Sequence, residues 1–317
     1  MTSTYISQII EQVNAVTEHC GPVLLFGENI DTGSRIAGLA RGLKVNPAGK
    51  ILNVGNCELT HCGVGLGMML DRGNADLFMK QLDFLLFGLD QLVNTFNCIR
   101  AYISSSDLGS FTIFLIICDQ GYQGPQSSLN SAGDFASLTN IEVYCLNSAE
   151  DASCVIREKF VSPGVRIICT SQRLFGAPLL ELPVAARFSG NAIFKYLSGN
   201  DITIVCFNFA LRQGIEISNQ LRSSGIRADL FHANFVPNMD MSTLVESCKR
   251  TGKLVIVDDS KTVTKFGDVL VTELTQHGVR TLVRLITRRG CIDTDYGVTS
   301  DQFQYDREEL LAFAHSG

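Results

Sequence analysis

Residues 51–70 read ILNVGNCELTHCGVGLGMML. The stretch opens with a short β-branched strand signal, Ile51 to Val54, and closes with an apolar segment of helical spacing over 62–70. Between them stands one acidic residue, Glu58, with Cys57, Leu59 and Cys62 as its neighbours. A strand that runs into a helix through a short loop is half of a βαβ unit. Open α/β sheets bind their ligands at the carboxyl ends of such strands. The apolar neighbours predict a substantially desolvated carboxyl at Glu58, which could hold or share a proton near neutral pH. A capping role for Glu58 on the following helix is the plainer alternative.

The same rhythm extends outward. Val23 to Phe26, Thr112 to Cys118, Ile141 to Cys145 and Val165 to Cys169 read, with Ile51 to Val54, as buried parallel strands. Residues 5–18, 62–70, 80–104 and 149–160 carry the apolar spacing of helices. Such alternation predicts a parallel sheet with helices on both faces. The rhythm breaks over 176–200, which holds two of the seven prolines and ends in the turn signal Ser198-Gly199-Asn200-Asp201. It then restarts with ITIVCF, a helix over 210–223 capped by Gly225, a strand from Ala228 to Phe231, a helix over 241–250 and a strand from Lys253 to Val257. The expected fold is α/β: two doubly wound, mostly parallel sheet domains, over 1–185 and 186–317.

Composition narrows the function. The chain has 317 residues, 45% hydrophobic and 18% charged, as expected of a folded globule. A net charge of −6 argues against a nucleic-acid partner. The longest apolar strand, Phe111 to Cys118, is far short of a membrane span. MTSTYISQII has no basic leader, so no signal peptide is expected. The eleven cysteines are an odd number set mostly within apolar segments, which suggests reduced thiols and a cytoplasmic compartment. Cys57, His61 and Cys62 complete no zinc ligand set, and no metal site is expected on this chain. No GxxxxGK[ST] is present, and Gly63-Val-Gly65-Leu-Gly67 is not GxGxxG, so its glycines read as close backbone packing.

Several segments together resemble the beta subunits of the thiamine diphosphate (ThDP)-dependent 2-oxoacid dehydrogenase decarboxylases, the pyruvate and branched-chain family. Glu58, Gly63 and Gly67 match that family's Glu and its two following glycines, and FLLFGLDQLVN, Phe84 to Asn94, matches its helix in which Phe precedes Asp-Gln. In the same register Gly27 to Asn29 falls on the family's GED, and Gly42-Leu43 on its GL. LNSAEDA, GNDITIV, SGIRADL, VPNMDMSTL and TGKLVIVDD follow in order, so the resemblance covers roughly residues 5–275. It implies a transketolase-like pyrimidine-binding domain followed by a transketolase C-terminal domain. Glu58 would then be the carboxyl that drives the cofactor's aminopyrimidine to its reactive tautomer, in a pocket of low dielectric. Phe84 would stack on the pyrimidine, and Glu28 would join the proton network beside it. Phe84 as a core residue and Glu28 as a turn cap are the structural alternatives.

The resemblance also has gaps. The family's diphosphate signature, Gly-Asp-Gly followed by a magnesium-binding Asn, is missing. Gly133-Asp134-Phe135 and Gly267-Asp268-Val269 fail at the third position. A beta-type chain leaves that task, with Mg²⁺, to an alpha-type partner in an α₂β₂ assembly. In the substrate loop GPQSSLNS, Gln126 is kept, but Ser127 replaces the family's histidine. From Thr287 onward the tail also departs from the family's ending. These changes leave cofactor activation intact and put acyl transfer to a lipoyl carrier in doubt, which favours a specialised C–C bond-forming relative. The competing readings are the C-terminal section of a split transketolase and a non-catalytic scaffold or regulatory subunit.

Overall fold

A computed structural model describes residues 3–120, 129–288 and 305–316. The first sheet has six parallel strands: β1 (Val23–Gly27), β2 (Lys50–Asn53), β3 (Asn74–Met79), β4 (Ser110–Ile117), β5 (Glu142–Cys145) and β6 (Gly164–Ser171), in the order β2-β1-β3-β4-β6-β5. Helices α1 (Tyr5–Thr17) and α5 (Ala149–Lys159) cover one face. The other face carries α2 (Glu58–Leu70), α3 (Phe96–Tyr102) and α4 (Ala132–Thr139).

The second sheet runs β12-β11-β9-β10-β8-β7. Its parallel part is β9 (Ile202–Phe207), β10 (Ala228–Ala233), β11 (Lys253–Asp258) and β12 (Leu282–Thr287), and β7 (Ala186–Phe188) and β8 (Ile193–Leu197) add an antiparallel edge. Helix α6 (Leu211–Ser223) packs on one face, and α7 (Ser242–Thr251) and α8 (Gly267–Gln276) on the other; α9 (Arg307–His315) joins the α6 side. The fold is therefore two mostly parallel α/β units, as the alternation of strands and helices predicts.

Four local readings change. β3 is a central strand, although its sequence NADLFM alternates polar and apolar residues only weakly. β2 is an edge strand with Leu52 38% exposed, not a buried one. The helix expected over 80–104 is three pieces: a 3₁₀ segment Leu82–Gly88, a π turn Gln91–Thr95, and α3. Gly88 explains part of the break, because a Cβ there would lie 2.4 Å from Cys62 Sγ on α2. Lastly, the proline-bearing break before 200 holds the hairpin β7–β8.

The two units dock through hydrogen bonds and ion pairs, although Asn147 Oδ1 and His232 Nδ1 stay buried without a hydrogen-bond partner. β5 bridges to the second unit through paired backbone bonds between Val143 and Phe235, and the Cys145 amide donates to Asn234 Oδ1 at 2.8 Å. Arg173, just after β6, reaches Asp259 Oδ2 at 2.7 Å and Asp119 Oδ2 at 3.4 Å; both carboxylates are fully buried. Burial raises the Asp119 pKa, and Arg173 opposes that shift. A buried ion pair of this kind fixes register more than it adds net stability, because desolvation offsets much of the attraction.

Candidate functional site

The chain order around the first sheet determines where a site can form. After β1 the chain crosses to β2 on one side, whereas after β3 it crosses to β4 on the other. β1 and β3 are neighbours, so the loops leaving their carboxyl ends diverge and leave a crevice at this switch point. A cleft of about 250 Å³ lies there. Its residues include Glu28 and Asn29 after β1, Asn56 and Glu58 after β2, Lys80 after β3, and Phe84 from the 3₁₀ segment. The structure thus brings together Glu28, Glu58 and Phe84, which span 56 positions of sequence from 28 to 84. Gln126 and Ser127 lie outside the described residues.

Glu58 is the first residue of α2, and Cys57 stands at the N-cap without a side-chain cap bond. The helix N-terminus favours a negative group at this place. Among the described residues no donor meets the Glu58 carboxyl, so it does not serve as a capping acid, and it faces a cleft walled in part by Ile36, Leu77 and Met79. The expected desolvation is incomplete in the single chain. Glu58 is half-buried, Cys57 is exposed and Leu59 is 44% exposed; only Cys62 is enclosed. Glu28 is exposed, and Asn29 Nδ2 donates to its Oε1 at 3.2 Å.

The glycines of α2 act through packing. A Cβ on Gly65 would meet the Phe111 ring at 2.2 Å, so glycine lets the helix lie close on β4. The two Gly-Asp strings are helical: Gly133 and Asp134 lie in the first turn of α4, and Gly267 and Asp268 open α8. Among the described residues no group of three or more His, Cys, Asp and Glu side chains could hold a metal ion. LNSAEDA has a structural task, since Ser148 and Asp151 form the capping box of α5 and Tyr196 donates to Asp151 Oδ2 at 2.7 Å.

Among the lining residues that sequence reasoning missed, two are titratable. His61, set aside as a metal ligand, is 6% exposed and lines the cleft, with Nε2 2.7 Å from the Gly55 carbonyl oxygen and its ring edge-on to Phe26. Its position three residues after Glu58 on a helix was the available signal. Lys80 was hidden because the strand before it was not recognised.

The fold is that of a transketolase-like, two-domain α/β protein. Residues 192–307 match the family described as transketolase, C-terminal domain. The chain is similar to the pyruvate dehydrogenase E1 component subunit beta of Rhizobium meliloti, 23% identical over 238 residues, and the match spans 72% of this chain but only half the length of that relative. It is 22% identical over 251 residues to the acetoin:2,6-dichlorophenolindophenol oxidoreductase subunit beta of Cupriavidus necator, covering 75% of this chain and 73% of that one. The pyruvate dehydrogenase E1 component subunit beta of Staphylococcus aureus is 20% identical over 299 residues, covering 93% and 92%. Among solved structures, a split gene transketolase described as an inactive beta4 tetramer superposes with a TM-score of 0.72 at 16% identity, over 99% of this chain and all of that one. The resemblance to beta subunits of this kind therefore holds along nearly the whole chain.

Proposed function

We propose that this chain is the beta-type half of a heteromeric ThDP-dependent enzyme that decarboxylates a 2-oxoacid and transfers the resulting acyl or ketol unit. The observation that carries this reading is the convergence of Glu58, Glu28 and Phe84 on one cleft at the switch point of the first sheet. The cleft fits an aminopyrimidine: an apolar wall, an aromatic ring, and a carboxyl with no partner among the described residues. When bound, ThDP supplies the nucleophilic carbon and the electron sink for decarboxylation. This chain's own part is to hold a proton on Glu58 where the pyrimidine nitrogen meets it, to orient the ring against Phe84, and to exclude water. Removing one such acid–base group typically lowers a rate by about 10² to 10⁴.

The diphosphate and Mg²⁺ belong, in this reading, to an alpha-type partner carrying GDG…N, in an α₂β₂ assembly. Two features support a partner at the cleft mouth. Glu58 is incompletely enclosed, and the adjoining surface is apolar: Leu59 and Val64 of α2 are 44% and 43% exposed, and Phe87 of the 3₁₀ segment is 69% exposed. Side chains of this size cluster at an interface more often than on a free surface. Ser127 in place of histidine favours a C–C bond-forming role over transfer to a lipoyl carrier. The whole-length likeness to a split transketolase supports a second reading, in which the donor is a ketose.

Calorimetry tests the division of labour. The pure chain should bind ThDP·Mg²⁺ with a dissociation constant weaker than about 1 μM, and a co-purifying chain with GDG…N should tighten it. Tight binding by the pure chain contradicts the reading. Turnover of 2-oxoacids, and not of ketoses, by the reconstituted pair separates the two donors. Robust lipoamide reduction would show that Ser127 does not carry the meaning given to it.

A further inference from the structure

Two histidines of the described chain are almost fully buried, and they are buried differently. His232 on β10 is wholly enclosed. Its Nε2 lies 3.1 Å from both the Asn208 carbonyl oxygen and Asn147 Nδ2, its Nδ1 is sealed from water without a partner, and burial pushes its pKa down to about 4. It is a group of the core. His61 is 6% exposed, and its Nε2 is 2.7 Å from the Gly55 carbonyl oxygen. A carbonyl only accepts, so Nε2 carries a proton, and in that tautomer the lone pair is on Nδ1. Phe26, edge-on at 6.2 Å, holds the plane of the imidazole. Among the described residues nothing donates to His61 Nδ1, and that atom is not sealed as His232 Nδ1 is. The ring lines the cleft together with Glu58, one turn earlier on the same helix, and residues so spaced share a face. A fixed tautomer with its lone pair turned away from the anchoring carbonyl is how proteins present a neutral imidazole as an acceptor.

We propose that His61 is a ligand-binding residue of this cleft, its Nδ1 and the Glu58 carboxyl being two acceptors for one ring N–H, so that the cleft takes a weakly basic aminopyrimidine in its ring-protonated form. This rests on the aminopyrimidine reading given above, in which Glu58 already supplies the ring proton, and adds to it one residue, His61, as a second acceptor. The step is a proton transfer from the Glu58 carboxyl to the ring nitrogen: the O–H bond breaks, the N–H bond forms, and the new N–H is shared between the Glu58 carboxylate and His61 Nδ1. The other charged groups lining the cleft are Glu28, which favours the same cationic ring, and Lys80, which opposes it.

The test uses the full chain and 4-amino-5-hydroxymethyl-2-methylpyrimidine labelled with ¹⁵N at the ring nitrogen para to the amine, titrated into the millimolar range. In the wild type the bound ring resonance should lie at the protonated position near neutral pH. In His61→Phe the ratio of protonated to neutral ring at saturation should fall roughly 10- to 100-fold, the worth of one hydrogen bond from a charged donor. His61→Gln, which offers an amide oxygen, should recover part of it, and melting curves confirm that both variants fold. If Glu58→Gln abolishes ring protonation while His61→Phe leaves it at the wild-type ratio, the role of His61 is overturned and the proposed function stands. A ring that stays neutral in the wild type, with Glu58→Gln making no difference, overturns both.

Discussion

The carboxyl ends of the two sheets are built to opposite purposes. In the first unit the loops after β1, β2 and β3 diverge and leave an open cleft in which the Glu58 carboxyl has no partner among the described residues. In the second unit the corresponding ends of β9, β10 and β11 are filled. Asp259 after β11 is fully buried against Arg173, the Phe209 amide donates to Asp259 Oδ1 at 3.1 Å, and His232 and Asn208 close over Asn147 of the first unit. The same α/β architecture thus gives an open cleft once and a docking edge once. The difference lies in whether the carboxyl at the strand end, Glu58 in one unit and Asp259 in the other, finds a partner among the described residues. An unsatisfied, reachable carboxyl is available for chemistry, whereas a satisfied buried one is committed to structure.

This contrast predicts that substitutions at the docking edge act on stability, and those at the cleft on chemistry. Arg173→Ala removes the guanidinium that pairs with two buried carboxylates and should destabilise the chain by about 3–5 kcal/mol in urea unfolding. An effect below about 1 kcal/mol would mean that the docking edge is not held by this ion pair.

His232 sharpens the point through pH. Its folded pKa of about 4 lies below the ordinary histidine value, so the fold favours the neutral ring. That contribution is complete above about 6.5 and is lost as pH falls through the folded value, up to about 3 kcal/mol in all. Asp151 acts in the opposite sense, because burial raises its pKa to about 6 and its contribution is lost as pH rises from about 4 through 6. Comparison of the wild type with His232→Phe cancels the Asp151 effect. The stability difference between the two should move in favour of the variant between pH 7 and pH 4, and a difference independent of pH would contradict the burial argument.

A smaller effect is expected at Ser148. Its hydroxyl accepts from the Asp151 amide at 3.1 Å and pairs with the Tyr196 hydroxyl at 3.0 Å. Ser148→Ala should cost about 1 kcal/mol in thermal or urea unfolding and leave ligand binding at the cleft unchanged. Weakened binding would show that LNSAEDA belongs to the site as well as to the α5 cap.

Much of the architecture was legible because buried parallel strands are β-branched runs that differ sharply from amphipathic helices. The place of Glu58 at the cleft was legible from its position after a strand, although the helix expected from residue 62 already begins at Glu58. What escaped was tertiary. NADLFM is a central strand because β1 and β4 flank it, although Asn74 and Asp76 dilute its apolar pattern. The 80–104 segment keeps its periodicity through Gly88, yet α2 presses Cys62 against that glycine and the helix breaks up. Arg166 gives no sign in GVRIIC of being 2% exposed, donating through Nη2 to the Pro163 and Gly164 carbonyl oxygens at 2.9 and 2.8 Å. The exposure of Glu58 was misjudged for a related reason: neighbours in sequence, Cys57 and Leu59, do not enclose it.

The central claim is that Glu58 activates a cofactor in the open cleft. The most direct measurement is the rate of thiazolium proton exchange in ThDP bound to the complex of this chain with its partner, for the wild type and Glu58→Gln, alongside their melting temperatures. The account predicts a rate lower by about 10² to 10⁴ in the variant, with melting unchanged. A variant that melts like the wild type and exchanges the proton at the wild-type rate would remove Glu58, and the cleft with it, from the chemistry.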